Sequence, residues 1–294
     1  MDNRSKYSFK AFSETDDYQK VNADIVRHWV SSMLTERSKQ IGSLLDIATG
    51  MGTMVQLFLN QLPGQKPTVI CLDQDESSLV QTTDRLKSLS FDVKHLHTSV
   101  EDLELPDESV DVAIWGNAIH YLQAEGQERA LTAIRRVLKK RGWLFFNTAF
   151  YAEARPPETL VFYRAQVRKA VSHLNSLGIQ RDRAQKRPAA SNFPPASHYE
   201  TLLTKIGFSV NEMRQVAARL HQPAWEHLSS FRQYAAGALH GYVPEVAADA
   251  MREAVAPAIE KHGQRDENNA PYVLRNWLAV SARRENLSSG VTSM

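Results

Sequence analysis

The chain has 294 residues, 43% of them hydrophobic and 23% charged, with a formal net charge of +2. That profile suits a globular protein with enough apolar residues for a core, and it gives no reason to expect nucleic acid as an obligatory partner. A single cysteine, Cys71, excludes an internal disulfide and a multi-cysteine zinc site, and no metal is expected.

The start, Met1-Asp2-Asn3-Arg4-Ser5-Lys6, is polar with no apolar stretch behind it, and no later run reaches membrane-spanning length. Neither a secretory signal nor a membrane span is expected, and the cytoplasm is the expected location. Ser13-Glu14-Thr15-Asp16 reads as the N-cap region of a helix running to Arg37, with Val21, Ile25, Trp29 and Met33 on one face. Tyr7, Phe9, Phe12 and Tyr18 around its start read as core packing, with covering a ligand as the other reading.

The strand Leu44-Leu45-Asp46-Ile47 leads into the small-residue turn Ala48-Thr49-Gly50-Met51-Gly52, and Met54 to Leu59 reads as a helix. Gly50 and Gly52 let the backbone bend sharply and let a ligand lie against it. The helix behind the turn points its free N–H groups at the same place. A dinucleotide fingerprint would need a third glycine where Val55 stands. A carboxylate at Asp46 repels a pyrophosphate but suits a cationic or amino-bearing ligand.

Pro67 to Leu72 is a buried strand ending at Asp73, about twenty residues after the glycine turn, the distance at which an acid reaches the hydroxyls of a ribose. Gln74 would lie beside the ribose or the base, while the structural alternative for Asp73 is capping the next helix, Glu76 to Leu89. Strands follow at Phe91–Leu96, Val110–Trp115 and Gly142–Asn147, with an amphipathic helix over Gly126–Leu138. This alternation predicts a doubly wound, mostly parallel sheet with its ligand loops along the strand C-termini. Beyond Phe150 it stops. Helices are expected from Pro156-Pro157 to Leu174, over Tyr199–Ile206 with Gly207 as the stop, and at Pro223–Leu239 and Pro244–His262. A short strand is expected at Phe208–Val210 and a final one at Val273–Ala282.

Together, several of these stretches resemble the class I S-adenosylmethionine-dependent methyltransferases, most closely the quinone-biosynthesis and small-molecule branch. The stretches are Leu45-Asp46-Ile47-Ala48-Thr49-Gly50-Met51-Gly52, Cys71-Leu72-Asp73, Ser99-Val100-Glu101-Asp102-Leu103, Asn117-Ala118-Ile119-His120-Tyr121-Leu122 and Val137-Leu138-Lys139-Lys140-Arg141-Gly142-Trp143-Leu144. The likeness covers residues 40–150, and Trp277 to Arg283 is similar to the family's last strand. Ala48 replaces the first glycine of the family motif. Ser99 stands where the family usually has an aspartate for the adenine amino group, a task that falls to its hydroxyl or to Glu101.

The resemblance implies a seven-stranded Rossmann-like core. Asp46 would lie near the methionine amino group of the cofactor, partly through water, with Ala48, Thr49, Gly50 and Gly52 passing under its ribose and methionine portion. Asp73 would bind the ribose hydroxyls with Gln74 alongside, Val100 would offer its N–H to adenine, and Gly116 and Asn117 would flank the methyl donor. Residues 1–40 are expected as a helical cap and 41–150 as the cofactor-binding core. Residues 151–196 and 220–270 would form a helical lid with substrate elements, and 197–219 and 271–285 the rest of the core sheet.

The expected activity is methyl transfer from S-adenosylmethionine to oxygen, nitrogen or carbon of a small-molecule acceptor, with a homodimer left open. A non-methylating reaction such as cyclisation and a turnover-deficient binding module are the alternatives, and Asp46 and Val55 disfavour an NAD-dependent oxidoreductase. Where the acceptor needs a base, His120 is the first candidate. His173, His198, His221, His227 and His240 in or beside the lid are unranked. Arg181, Arg183, Lys186 and Arg187 read as a solvated loop, with an acidic substrate as the second reading. Trp225, Phe231 and Tyr234 read as lid core, with an aromatic acceptor pocket as the alternative. Asn192-Phe193-Pro194-Pro195 is similar to an element of amino-group DNA methyltransferases, but there it ends the fourth strand, so here it reads as a proline loop.

Overall fold

A computed structural model describes residues 6–36, 40–62, 64–89 and 91–285. The polar start Met1–Ser5 and the expected helix end at Arg37 lie outside the described residues. The chain forms two compact units. A sheet unit comprises Asn22–Thr148, Pro195–Gln215 and the chain from Leu278. A helical unit comprises the chain up to Val21, Ala149–Pro194 and Val216–Trp277.

The strands are β1 (Ser43–Ile47), β2 (Thr68–Asp73), β3 (Val93–His97), β4 (Val110–Gly116), β5 (Leu138–Thr148), β6 (Phe208–His221), β7 (Gln264–Arg265) and β8 (Pro271–Arg284). Their order is β3-β2-β1-β4-β5-β8-β6, with the two-residue β7 paired to β8. β1, β2, β3, β4 and β5 all run parallel to one another, while β8 runs antiparallel to β5. The expected doubly wound, mostly parallel sheet of seven strands is therefore present, with β7 added. β1, β2 and β4 are apolar runs buried almost end to end, as strands covered on both faces must be.

The helices of the sheet unit include α1 (Asp16–Glu36), which starts in the helical unit, α2 (Thr53–Asn60), α3 (Glu76–Leu86) and α4 (Ala124–Val137). The α1 stripe of Val21, Ile25, Trp29 and Met33 is buried as its spacing predicts. Trp29 stacks on Phe145 at 5.4 Å, and Phe145 stacks on Trp143 at 5.3 Å. Each such ring contributes about 2–3 kcal/mol by leaving water. Cys71 is fully buried in β2, and burial pushes its thiol up to about 12, so it is inert core. At the sheet edge where the parallel strands begin, Asp111 Oδ2 accepts from Gly42 N–H (3.0 Å), Ser43 N–H (3.1 Å) and Lys139 Nζ (2.9 Å).

The helical unit is built from α5 (Leu160–Ser176), α7 (Gln222–Ser230), α8 (Arg232–Ala238), α9 (Pro244–Glu253) and α10 (Val255–His262), while α6 (Ala196–Ile206) belongs to the sheet unit. Two expected helices are each divided. Phe231 is extended (φ −70°, ψ 116°), with its ring 5.2 Å from Phe9, and this separates α7 from α8. Pro257 lacks the N–H that would continue α9 through Ala254. Phe9, Phe12 and Tyr18 meet edge to face, so the N-terminal aromatics are core. β6 is much longer than the expected Phe208–Val210. As the last strand in the order it has an open side for polar residues, and His28 and Asp24 of α1 pair with its Glu212 (2.5 Å) and Arg214. Among the described residues no helix is long and apolar enough to cross a membrane.

Candidate functional site

Parallel strands end on a common edge, and the sheet unit carries most of the expected site residues there. β1 gives way to a turn in which Ala48, Gly50 and Gly52 all have left-handed φ (52°, 53° and 72°). The turn is held to β2 by Thr49 N–H on Leu72 O (3.0 Å) and closed by Gly52 N–H on Thr49 O (2.8 Å). A Cβ at Gly52 would come within 3.0 Å of Thr82, so that glycine is needed for φ and for space. At Gly50 a Cβ would meet nothing nearer than Ala48 O at 3.9 Å, leaving the turn open on that side.

Asp73, at the end of β2, reaches into this turn. Its Oδ2 accepts from Gly50 N–H (2.8 Å) and its Oδ1 from Asp75 N–H (2.9 Å). The α3 cap is Asp75, which accepts from Ser77 N–H at 3.0 Å, so Asp73 is spared for the edge. Gln74 is exposed beside it. Asp46 lies one strand away but is 1% exposed and accepts from Thr49 Oγ1 at 2.5 Å. Burial, helped by the negative charge of Asp73 and opposed by the Thr49 hydroxyl, pushes its pKa up to about 7.

The next two expected contacts are engaged locally. Ser99 caps a short helical turn, accepting from Asp102 N–H (3.2 Å) and donating to Asp102 Oδ2 (2.8 Å). Glu101 accepts from Arg129 Nε at 3.0 Å and from its Nη2. Val100 between them is buried. At the end of β4, Gly116 has a packing reason to be glycine, since a Cβ there would lie 2.3 Å from Met54 Cγ. Asn117, with φ 51°, donates its N–H to Asn147 Oδ1 (2.8 Å), and both Asn117 Nδ2 (3.2 Å) and Asn147 Nδ2 (2.8 Å) donate to Asn22 Oδ1. His120 is 3% exposed, its Nδ1 3.0 Å from Thr148 Oγ1.

Asn22 and Asn147 were not singled out by the sequence. Asn22 is fully buried on the apolar face of α1, and a polar residue on an apolar stripe was the only available signal. The lid histidines do not converge. His198 meets Gln127 (2.9 Å), His173 faces Glu253 (3.4 Å), and His221 lies between Asp17 (3.0 Å) and Asp266 (3.3 Å). His227 is half-buried in α7.

The helical unit holds a cavity of about 630 Å³ whose walls include His240, Phe193 and Tyr234. Arg181, Arg183 and Arg187 of the basic run are exposed, as a solvated loop would have them, and also line it. Trp225 and Phe231 are buried core, whereas Tyr234 faces the cavity. Asn192 to Pro195 is a loop outside the strands, as read, with Phe193 stacked under the Arg155 guanidinium at 4.1 Å.

Residues 44–142 match a family model described as a methyltransferase domain. The match covers about a third of the chain and marks residues 44–142 as a methyltransferase domain. The match stands at the level of the domain and does not single out the quinone-biosynthesis branch. No curated protein matches this chain in sequence. Among solved structures, a loganic acid methyltransferase with bound SAH is similar at TM-score 0.68 and 12% identity, covering 96% of this chain and 97% of its own. A candidate methyltransferase of Bacillus halodurans C-125 is similar at TM-score 0.55 and 15% identity, covering 88% and 99%. The cyclase SpnF follows at TM-score 0.50 and 17% identity, covering 87% and 80%. At these identities the likeness is one of fold. S-adenosylmethionine is the cofactor of the methyltransferase domain. The open side of the glycine turn at Gly50 and the fixed carboxylate of Asp73 beside it fit an adenosyl ligand.

Proposed function

We propose that this chain transfers a methyl group from S-adenosylmethionine to a small-molecule acceptor, with the cofactor along the strand ends of the sheet unit. The observation that carries the cofactor assignment is Asp73, fixed by Gly50 N–H at 2.8 Å on the open side of the glycine turn. A carboxylate oriented in this way is ready to accept from two vicinal hydroxyls without reorganising. Gly50 and Gly52 form the floor beneath the ribose, Gln74 flanks it, and Val100 supplies a backbone N–H to the base.

Two parts of the assignment are refined by what the side chains touch. Ser99 and Glu101 are committed to Asp102 and Arg129, so recognition of the adenine amino group is assigned to the rim they build rather than to one free acceptor. Asp46, buried against Thr49, is assigned to the cofactor's amino end, whose positive charge would favour its ionised form, rather than as an open ligand.

Bound S-adenosylmethionine supplies an electrophilic methyl on a sulfonium, which leaves as a neutral thioether and needs no covalent help. The residues of the chain then have to hold and orient the reactants and keep water out. Asn117, Asn147 and Asn22 fix the loop after β4 in a left-handed turn whose amides are mutually bonded. His120, buried against Thr148, is assigned as a positioning residue for that loop rather than as the base.

Titration of the full chain with S-adenosylhomocysteine and, separately, with NAD tests the cofactor reading. Binding of the sulfur ligand alone is expected, and binding of NAD alone would overturn it. Asp73→Asn and Asp73→Ala should weaken S-adenosylhomocysteine by about 1.5–3 kcal/mol, roughly tenfold to a hundredfold. Because the same fold carries the cyclase SpnF, turnover is followed as S-adenosylhomocysteine released per acceptor consumed. An acceptor consumed without that release would favour the non-methylating alternative.

A further inference from the structure

The helical unit contains a cation that nothing in the cofactor site requires. Arg275, on β8, is 1% exposed, yet it reaches the wall of the 630 Å³ cavity. Its partners are all neutral. Nη2 donates to Ala149 O at 2.5 Å, and Nη1 donates to the Tyr163 hydroxyl at 3.3 Å. The guanidinium lies 5.1 Å from the Phe150 ring centre and 5.9 Å from that of Tyr234. Among the described residues no carboxylate pairs with it.

A guanidinium cannot neutralise itself by losing its proton, so one this deep without a carboxylate partner is costly to the fold. Carbonyl and aromatic contacts offset part of that cost and leave the charge itself uncompensated.

The rest of the wall points the same way. Arg155, Arg181, Arg183 and Arg187 line the cavity with Arg275, and no aspartate or glutamate does. In a chain whose net charge is only +2, five arginines around one cavity without an acid are a concentrated positive field. Burial raises the pKa of the phenols of Tyr163 and Tyr234, so both remain neutral hydroxyl groups able to donate. Aromatic surface from Phe150, Tyr163 and Tyr234 around a single buried fork suits a planar, apolar-bodied molecule bearing one carboxylate. A bidentate pair between carboxylate and Arg275 would complete that geometry.

We propose that the cavity of the helical unit binds a small organic carboxylate with an aromatic or otherwise apolar body, whose carboxylate is anchored by Arg275. The claim is one of recognition and stands apart from the methyltransferase reading. The outer arginines attract the anion, and Arg275 with the aromatic wall selects it.

Matched pairs test the claim on the full chain with saturating S-adenosylhomocysteine: benzoate and benzamide, cinnamate and cinnamamide, indole-3-acetate and indole-3-acetamide, with phenyl phosphate as a further arm. Thermal shift and calorimetry are expected to show at least one carboxylate binding about tenfold or more tightly than its amide. Arg275→Met should abolish that preference while S-adenosylhomocysteine still binds. Should Arg275→Met not fold, Arg155→Ala and Arg187→Ala are expected to weaken the same carboxylate about threefold or more each. No carboxylate preferred over its amide, a preference that survives the substitutions, or phenyl phosphate preferred over every carboxylate would each overturn the proposal. Loss of S-adenosylhomocysteine binding in the unsubstituted chain would instead overturn the cofactor reading, so the two failures are told apart.

Discussion

Asp46 is where the residue scale is most informative, because one carboxylate combines full burial with a single hydroxyl partner. With its ordinary value of 3.8 raised to about 7, its unfolded form is ionised between about pH 4 and 7 while the folded form keeps its proton. This group therefore contributes stability that is fully present below about pH 4 and is lost as pH rises toward 7, on the order of 4 kcal/mol in all. Urea unfolding of Asp46→Asn should lack that slope, and slopes identical to the unsubstituted chain would show that Asp46 does not hold its proton. A cationic amino end favours the ionised form, so S-adenosylhomocysteine affinity should rise through pH 7 in the native chain and stay flatter in Asp46→Asn. At His120, His120→Gln is expected to lower kcat modestly and leave the pH profile unchanged. A profile that loses its acid limb would return it to the role of base. The sequence made Asp46, Asp73 and the glycines legible because their meaning is local, a strand end followed by a tight turn. It gave no comparable sign for Asn22, which stands among other polar residues of its helix, or for Arg275, which is followed by Asn276, because the partners of both lie far away in the chain.

At the scale of elements, the edge opposite the cofactor site has its own anchor. One oxygen of Asp111 accepts from the start of β1 and from Lys139 at the start of β5, tying three strands where no ligand is expected. Asp111→Ala should destabilise the chain by about 3 kcal/mol in chemical denaturation and leave S-adenosylhomocysteine affinity within about twofold. An affinity loss as large as that of Asp73→Ala would mean that strand starts and ligand loops are not separable. Most elements were legible from periodicity, and the misses have physical causes. The helix expected over Pro223–Leu239 breaks because Phe231 turns toward Phe9, a tertiary contact that no local pattern announces. β6 was read short because its exposed side carries charges that look like loop, though two of them pair with α1.

At the scale of the whole molecule, the strand order β3-β2-β1-β4-β5 follows from alternation and handed crossovers, so that part was readable. The insertion of β8 between β5 and β6 was not, because antiparallel closure depends on where the late strands pack rather than on their own residues. β6 and β8 each supply residues to both units, and a single unfolding transition is therefore expected in calorimetry. S-adenosylhomocysteine at a hundred times its Kd should stabilise that transition by about 2.7 kcal/mol. Two resolved transitions, only one of them moved by the ligand, would show that the shared strands do not couple the units.

The solitary thiol of β2 offers a practical reporter. Cys71 has no solvent exposure and its pKa is raised to about 12, so a disulfide reagent such as Ellman's should find almost no thiolate while the sheet is closed. Its labelling rate would then count openings of the central sheet, one thiol per molecule, with no engineered probe. Slower labelling in the presence of S-adenosylhomocysteine would register the ligand's grip on strands it touches only at their ends.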